Sequence, residues 1–487
     1  MDRLDHVAEG IANASLSQFK PTDYVPTPAS GIYRRVLCLL PALIFAFNSL
    51  AVGSNSAFVG LAGGASYIVG KRARAVATGD FNGDGLSDIA IAGFGSNQVN
   101  ILLGCTSGTA NCTNGFLPAV NYTVNEPLAI AAVDVNGDGT LDLLTVNAGA
   151  NTVSLLLGKG DGTFSSANCS ATGPCITGLD PAAIAVGNFL GRAKEVDLVV
   201  TNAGTNTVSV FLGNGKSFNS PTTYQVGNSP AAAAIADFNG DGFPDIVVTN
   251  GEDNTVSVLL NDRKGEFLPQ TTFAAGNTPV SVAVADFNGD KIDDLAVADS
   301  GGNTISILLG NGNGTFQAAT NVPSGPSPQT VAVGDFNADG RPDLVVGNGA
   351  GNNVTVLLGL GNGTFRPGVQ YASGAKTVSA VVADFNGDNK QDIIATNADL
   401  LPGQITVLLG NGDGTFQSGL NYAVGLNPQS VVSGDFNCDG KPDLAVANAG
   451  SSQITLLYGN GDGTFKLGPN FQTLNHPVSM VTADFNH

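Results

Sequence analysis

A nine-residue pattern, D-F-N-x-D-G-x-x-D, returns along this chain with its first position at Asp80, Asp134, Asn188, Asp237, Asp286, Asp335, Asp384, Asp435 and Asp484. The intervals are 54, 54, 49, 49, 49, 49, 51 and 49 residues. Such self-similarity restricts the chain to a repeat architecture, in which each unit is one supersecondary element that buries its faces on its neighbours. Within a unit the order barely changes. An apolar stretch such as "SVAVADF" enters the Asp-rich turn, "DLAVADS" and "NTISILLG" follow, then a "GNGNGTF" turn and a looser segment like "QAATNVPSG".

The first three segments alternate apolar and polar residues or are short runs of Val and Ile, and Gly, Asn and Asp separate them. They read as strands in consecutive hairpins. Outside the leader no segment keeps a helical period. Four short strands in about 49 residues predict an all-β fold, a β-propeller of four-stranded blades stacked radially so that each covers the next. A right-handed β-helix is the rival, but its coils are usually shorter and carry fewer hairpin turns. Eight full units start between Asp80 and Asp435, and "PVSMVTADFN" adds only the first strand of a ninth, so eight blades are expected, with seven plus an undocked unit as the alternative. The motif's second residue (Phe81, Phe238, Phe287, Phe336, Phe385, Phe436) is expected to pack between blades.

The 487 residues would allow about three average domains, yet the repeat organises them otherwise: a leader over 1–51, a segment over 52–73 that resembles the last strand of a unit and is a candidate to close a blade, and the propeller over 74–487. In the leader, Arg34 and Arg35 precede the apolar run Val36 to Phe47, and small residues suit cleavage after Ala51 or Ala57. That order is a secretory signal. A membrane anchor needs about 20 apolar residues, more than this run supplies. The arginine pair is compatible with twin-arginine export, and the long stretch before it with an over-extended gene start. Cysteine usage agrees with an oxidising compartment, since Cys105 and Cys112, like Cys169 and Cys175, each bracket a short insertion and are expected to form local disulfides. Zinc would need four clustered ligands, which neither pair has. Cys438 is the odd one, expected as a free thiol. The expected location is therefore secreted, periplasmic or cell-surface, with no membrane span in the mature chain.

The recurring turn carries the chemistry. Positions 1, 3, 5 and 9 bear side-chain oxygens and position 7 offers its carbonyl, a hard-oxygen set on a flexible turn that suits Ca²⁺ better than Mg²⁺. Seven loops hold the full set. They comprise Asp80, Asn82, Asp84, Leu86 and Asp88, then Asp134, Asn136, Asp138, Thr140 and Asp142, then Asp237, Asn239, Asp241, Phe243 and Asp245. The later ones are Asp286, Asn288, Asp290, Ile292 and Asp294, then Asp335, Asn337, Asp339, Arg341 and Asp343. Asp384, Asn386, Asp388, Lys390 and Asp392 form the sixth, and Asp435, Asn437, Asp439, Lys441 and Asp443 the seventh. An EF-hand is excluded because position 12 of the 237 loop is Val248 and no helices flank the turn. A plain Asx-rich turn is the alternative, but recurrence of three neighbouring carboxylates argues for a cation that relieves their repulsion. Seven Ca²⁺ would bring the formal charge from −20 to about −6. The unit at Asn188 reads "NFLGRAKEVD", with Leu190 and Arg192 at ligand positions, so a plain turn is expected there with Arg192 or Lys194 supplying charge.

With these loops lying between propeller strands, the chain resembles the FG-GAP/VCBS repeats over about residues 58 to 487. The resemblance implies the calcium-binding propeller of integrin α chains and many secreted bacterial proteins. That family serves adhesion and ligand binding, and occasionally hosts an enzyme. Lys291 and Asn389 depart from its Gly at position 6 but leave the four side-chain ligands intact.

The net charge of −20 argues against nucleic acid and anionic lipid as partners. Past the leader the histidines are His476 and His487, and neither G-x-S-x-G nor H-E-x-x-H occurs, so Cys-His chemistry and His-ligated zinc have little support. The Asp residues are claimed by the calcium loops, and no single loop is specialised. A monomeric binding or adhesion module for a protein or glycan is the expected function. A carbohydrate-active enzyme with a site in the central channel is the alternative, and the absence of Trp handicaps sugar stacking.

Overall fold

The computed structural model describes residues 11–12, 46–47, 68–71, 73–84, 88–93, 96–105, 110, 117–170, 173–192, 195–398, 402–436, 439–474 and 479–481. Most of the leader, including nearly all of the apolar run, lies outside the described residues, as do Leu86, Cys112, Lys194, Asn437 and Cys438.

Eight antiparallel sheets, each laid down in chain order from the inside outward, stand in a ring. Their innermost strands are Ala73–Gly79, Pro127–Val133, Pro181–Gly187, Pro230–Ala236, Pro279–Ala285, Pro328–Gly334, Thr377–Ala383 and Pro428–Gly434, which number blades 1 to 8. Six of the eight begin with proline, tolerated at a strand's first residue because no ladder donor is needed there. Blade 4 shows the pattern: Pro230–Ala236, Asp245–Asn250, Thr255–Leu259 and Thr271–Ala274 pair in succession. Its first two strands are buried along their whole length, while the outermost is exposed at all but one position. That gradient explains the apolar runs of the early segments and the looser composition of the fourth.

The cores lie between blades. One joins Ala185 and Val199 of blade 3 to Ile235 and Ile246 of blade 4, and another joins Ala283 and Ile305 of blade 5 to Val331 and Leu344 of blade 6. Ile89 and Ile91 of blade 1 pack with Ala445 and Leu456 of blade 8, which closes the ring at eight. The seam has two further pairings. Ser479–Val481 lies parallel to the innermost strand of blade 1, and Ile68–Lys71 lies parallel to Phe465–Leu474 at the outer edge of blade 8.

The motif phenylalanines occupy these joints. Phe81, Phe189, Phe238, Phe287, Phe336 and Phe385 each meet, edge to face, the Phe that ends the next blade's third-to-fourth-strand turn, at centroid distances of 4.9 to 6.2 Å. A tyrosine on the outer strand completes several joints, and the Tyr224 hydroxyl accepts the Phe267 N–H at 3.1 Å. Tyr224→Phe is expected to cost about 1 kcal/mol, the usual worth of one hydrogen bond. Denaturant titration of the variant checks it, and unchanged stability would mean that the ring alone matters. Phe273 already lacks the hydroxyl at the corresponding place in the next joint.

Cys169 and Cys175 are bonded, and both sulfur-bearing side chains are buried beside the blade 2 and 3 core even though the hairpin that carries them sits at the outer edge of blade 2. Cys105 is also disulfide-bonded.

Candidate metal loops at one end of the ring

Because every blade runs inner to outer through three hairpins, the turns joining first to second and third to fourth strands emerge at the same end. The Asp-rich loops and the "GNGxGTF" turns are therefore neighbours. Across the joints, Gly162, Gly314, Gly363 and Gly414 donate N–H to the carbonyls of Phe81, Phe238, Phe287 and Phe336 at 2.9 to 3.0 Å. Each of these glycines has φ between 78° and 82°, a left-handed conformation that glycine adopts without steric cost. Blade 4 reaches blade 3 differently, through the Asn261 side-chain amide on the Phe189 carbonyl at 2.7 Å.

Inside each loop the position-1 carboxylate gathers backbone N–H groups. Asp134 Oδ1 accepts from Gly137 and Asp138, and its Oδ2 from Gly139, at 2.7 to 3.2 Å. Asp237, Asp286, Asp335, Asp384 and Asp435 accept in the same way from position 6. Lys291 and Asn389 fill that position with φ of 68° and 61°, so the loop geometry survives loss of the glycine. The position-3 Asn accepts from the position-5 N–H and donates its own amide to the position-5 carboxylate, as in Asn136 with Asp138 at 2.9 Å.

Position 9 behaves differently from positions 1, 3 and 5. Its carboxylate is buried in every blade, and where position 1 binds N–H groups of its own turn, position 9 binds backbone on both sides of the hairpin. Asp245 Oδ2 accepts the Phe238 N–H at 3.0 Å and Oδ1 the Asn261 N–H at 2.7 Å. The same clasp is made by Asp88, Asp142, Asp294, Asp343, Asp392 and Asp443. It ties the loop's start to the end of the third strand. Burial pushes Asp88, Asp245 and Asp443 up to about 7 and Asp142, Asp294, Asp343 and Asp392 up to about 6, with the loop's own carboxylates adding to the rise.

Blade 3 separates the clasp from any metal. Asp197 accepts from Phe189 at 2.6 Å and from Gly213 at 2.7 Å, although Leu190 and Arg192 stand in that loop. Asn188 and Arg192 close the turn through each other's amide and backbone, and the Arg192 guanidinium pairs with Glu195 at 3.1 Å.

The carboxylates of positions 1 and 5, the position-3 Oδ1 and the position-7 carbonyl supply oxygen, the donor chemistry of a hard divalent cation. Among the described residues, no three His, Cys, Asp or Glu side chains converge on one point as they stand, in keeping with position 9 being engaged by backbone. Cationic side chains already touch several position-5 carboxylates. Arg263 Nε meets Asp241 at 3.0 Å and Lys390 Nζ meets Asp388 at 3.1 Å, while Arg341 and Lys441 approach Asp339 and Asp439 at 3.8 and 3.9 Å. The position-7 side chains thus had a part that reading them as carbonyl donors alone did not include.

Family comparison covers most of this framework. The FG-GAP-like repeat matches residues 80–145, 194–248, 237–297, 286–346, 335–395, 384–446 and 435–487. The chain belongs to the FG-GAP-like repeat family. No curated protein sequence matches it. Among solved structures, an Agrocybe aegerita lectin described as recognising non-reducing terminal N-acetylglucosamine is 19% identical, with 71% of this chain and 90% of that one covered and a TM-score of 0.44. A Pseudomonas aeruginosa periplasmic gluconolactonase is 14% identical, with 73% and 97% covered and a TM-score of 0.47. A Desulfotomaculum acetoxidans protein of unknown function is 14% identical, with 67% and 98% covered and a TM-score of 0.46. Binding proteins and enzymes both occur among these neighbours of the FG-GAP chain.

Proposed function

We propose that this chain is a secreted or surface binding module, a calcium-stabilised propeller that recognises a protein or glycan and has no catalysis of its own. The observation that carries this reading is the uniformity of the loop end: in the seven loops with the full oxygen set the position-1 and position-9 carboxylates make the same backbone bonds, and among the described residues no Asp-rich loop carries a histidine or a cysteine. A reaction site needs a few groups in unlike environments, so that one acts as acid and another as base. The loop residues at positions 1, 3 and 5 would hold Ca²⁺, which supplies positive charge among carboxylates and rigidity to the hairpin. Their role is structural, since no helices flank them to reorient.

The protein is taken to act as a monomer; among the described residues no helix is long and apolar enough to cross a bilayer. Glycan arrays and a polysaccharide panel, probed with the calcium-loaded secreted chain, test the reading. Saturable binding without product formation is expected. Turnover of a polysaccharide that persists after the calcium loops are mutated would overturn it in favour of an enzyme.

A further inference from the structure

The end of the second strand carries a buried side chain in blades 2 to 8: Asn147, Asn202, Asn250, Asp299, Asn348, Asn397 and Asn448. Blade 5 alone among these holds an acid. In blade 4 the Asn250 amide donates to the Ser257 hydroxyl at 2.7 Å, and that hydroxyl in turn donates to the Gln270 carbonyl oxygen. Blade 7 has the same start, Asn397 donating to Thr406, but there the hydroxyl has both the Ser373 carbonyl and Asn421 Oδ1 as acceptors. The amide proton at the start lets the hydroxyl's single proton point outward.

Asp299 occupies the same position with its Oδ2 2.7 Å from Ser306 Oγ and 3.1 Å from Thr304 Oγ1. Ser306 Oγ also lies 2.9 Å from Asn321 Oδ1, and it accepts the Gly276 N–H at 2.8 Å. Ser306 has one proton and two acceptors before it. An ionised Asp299 takes that proton and leaves Asn321 Oδ1 without it. A neutral Asp299 donates to Ser306 Oγ, whose own proton then reaches Asn321 Oδ1, as the Ser257 proton reaches the Gln270 side chain in blade 4.

Asn321 borders a groove of 340 Å³ between blades 4 and 5, floored by Phe273 and Phe316 and edged by Gln317. We propose that Asp299 is a proton-binding site that, through Ser306, sets how the Asn321 amide is anchored at the edge of this groove. With the proton bound, Asn321 Oδ1 is held by Ser306; without it, the amide loses that anchor.

The surroundings favour the proton. Burial is the main influence on Asp299 and raises it to about 6, against the hydroxyls of Ser306 and Thr304 and the N–H groups of Gly276 and Ser306, which lower it. The strands packed around it, Thr271–Ala274, Pro279–Ala285, Thr304–Leu308, Thr320–Pro323 and Pro328–Gly334, contain no titratable side chain. Glu252 and Asp253, on the adjoining turn of blade 4, are exposed. A carboxylic acid raised above its ordinary value of 3.8 contributes stability in its neutral form, fully present at acid pH and lost as the pH rises through about 6.

Asp299→Asn installs the residue that the sister blades use, so the variant is expected to fold. Melting of both proteins in chelator, from about pH 4 to pH 8, isolates Asp299 because every other carboxylate is common to the two. The curves should coincide at the acid end, and the variant should melt a few degrees higher at the alkaline end. In the wild type the side-chain ¹⁵N resonance of Asn321, identified by its loss in Asn321→Gln, should move with a midpoint near 6, and it should stay fixed in Asp299→Asn. Parallel melting curves throughout, or an Asn321 resonance that does not respond to pH in the wild type, would each overturn the proposal.

Discussion

Asp245→Ala is expected to lower the stability of the propeller by roughly 4 kcal/mol, because two buried backbone N–H groups lose an ionisable acceptor at once. The groups concerned are those of Phe238 and Asn261, and no water-facing route replaces the carboxylate at a residue with no exposed surface. Asp197→Ala should cost about as much, although its loop lacks the side chains for a metal. Asp241→Ala, on a partly exposed position-5 carboxylate, should cost under about 1 kcal/mol in chelator. Denaturant melts of the three variants without metal decide the matter. An Asp245→Ala that is damaging only when calcium is restored, beside a harmless Asp197→Ala, would mean that position 9 acts through a cation and not through the backbone clasp.

Removing calcium should lower the melting temperature sharply at alkaline pH and much less at acid pH. In the seven loops with the full oxygen set the position-9 carboxyl sits at about 6 or 7, well above its ordinary 3.8. Folding therefore favours the neutral form. The associated stability is complete below about pH 4 and is lost as the pH rises through the 6 to 7 window. Metal-free protein should consequently melt highest in acid. A cation among positions 1, 3 and 5 adds its binding free energy by mass action and offsets the charge that opposes ionisation at position 9. Calcium should thus raise the melting temperature more at pH 8 than at pH 5, with metal analysis of dialysed protein giving about seven ions. A chelated protein that melts unchanged at pH 8 would reduce the loops to ordinary Asx turns.

The ring itself was legible because its signals are local and repeated. Alternation in "SVAVADF" and "NTISILLG", with glycine and asparagine between them, defines hairpins, and the recurrence of Phe at the motif's second position marks the joints. Eight units gave eight blades. The aim of Asp245 was not legible. Spacing of 1, 3, 5 and 9 reads as one ligand set, whereas the clasp to Asn261 depends on a partner 16 residues away across a strand pairing. Only the spoiled loop held a hint, since the position-9 acid persists at Asp197 where its companions are gone. Arg263 on Asp241 was hidden for the same reason: the contact joins two turns that meet only once the blade has formed. Asp299 could have been noticed by aligning the units, as an acid in a column of asparagines, but its meaning rests on the proton count at Ser306, which needs coordinates.

The joints in this ring have two unlike faces: at four of them one blade brings a motif Phe and its carbonyl, and the next brings a glycine N–H and a second Phe. Such a head-to-tail contact has no built-in end, and it makes a closed figure only when the rotation it imposes divides a full turn. Here every joint must turn by an eighth of a circle. That wedge is set where neighbouring blades are nearest, along inner strands such as the alanine-rich Pro230–Ala236. Blade number is thus a property of side-chain width at the hub: bulkier hub residues in every unit would open the wedge and strain the seam between blades 8 and 1, leaving the outer strands almost untouched.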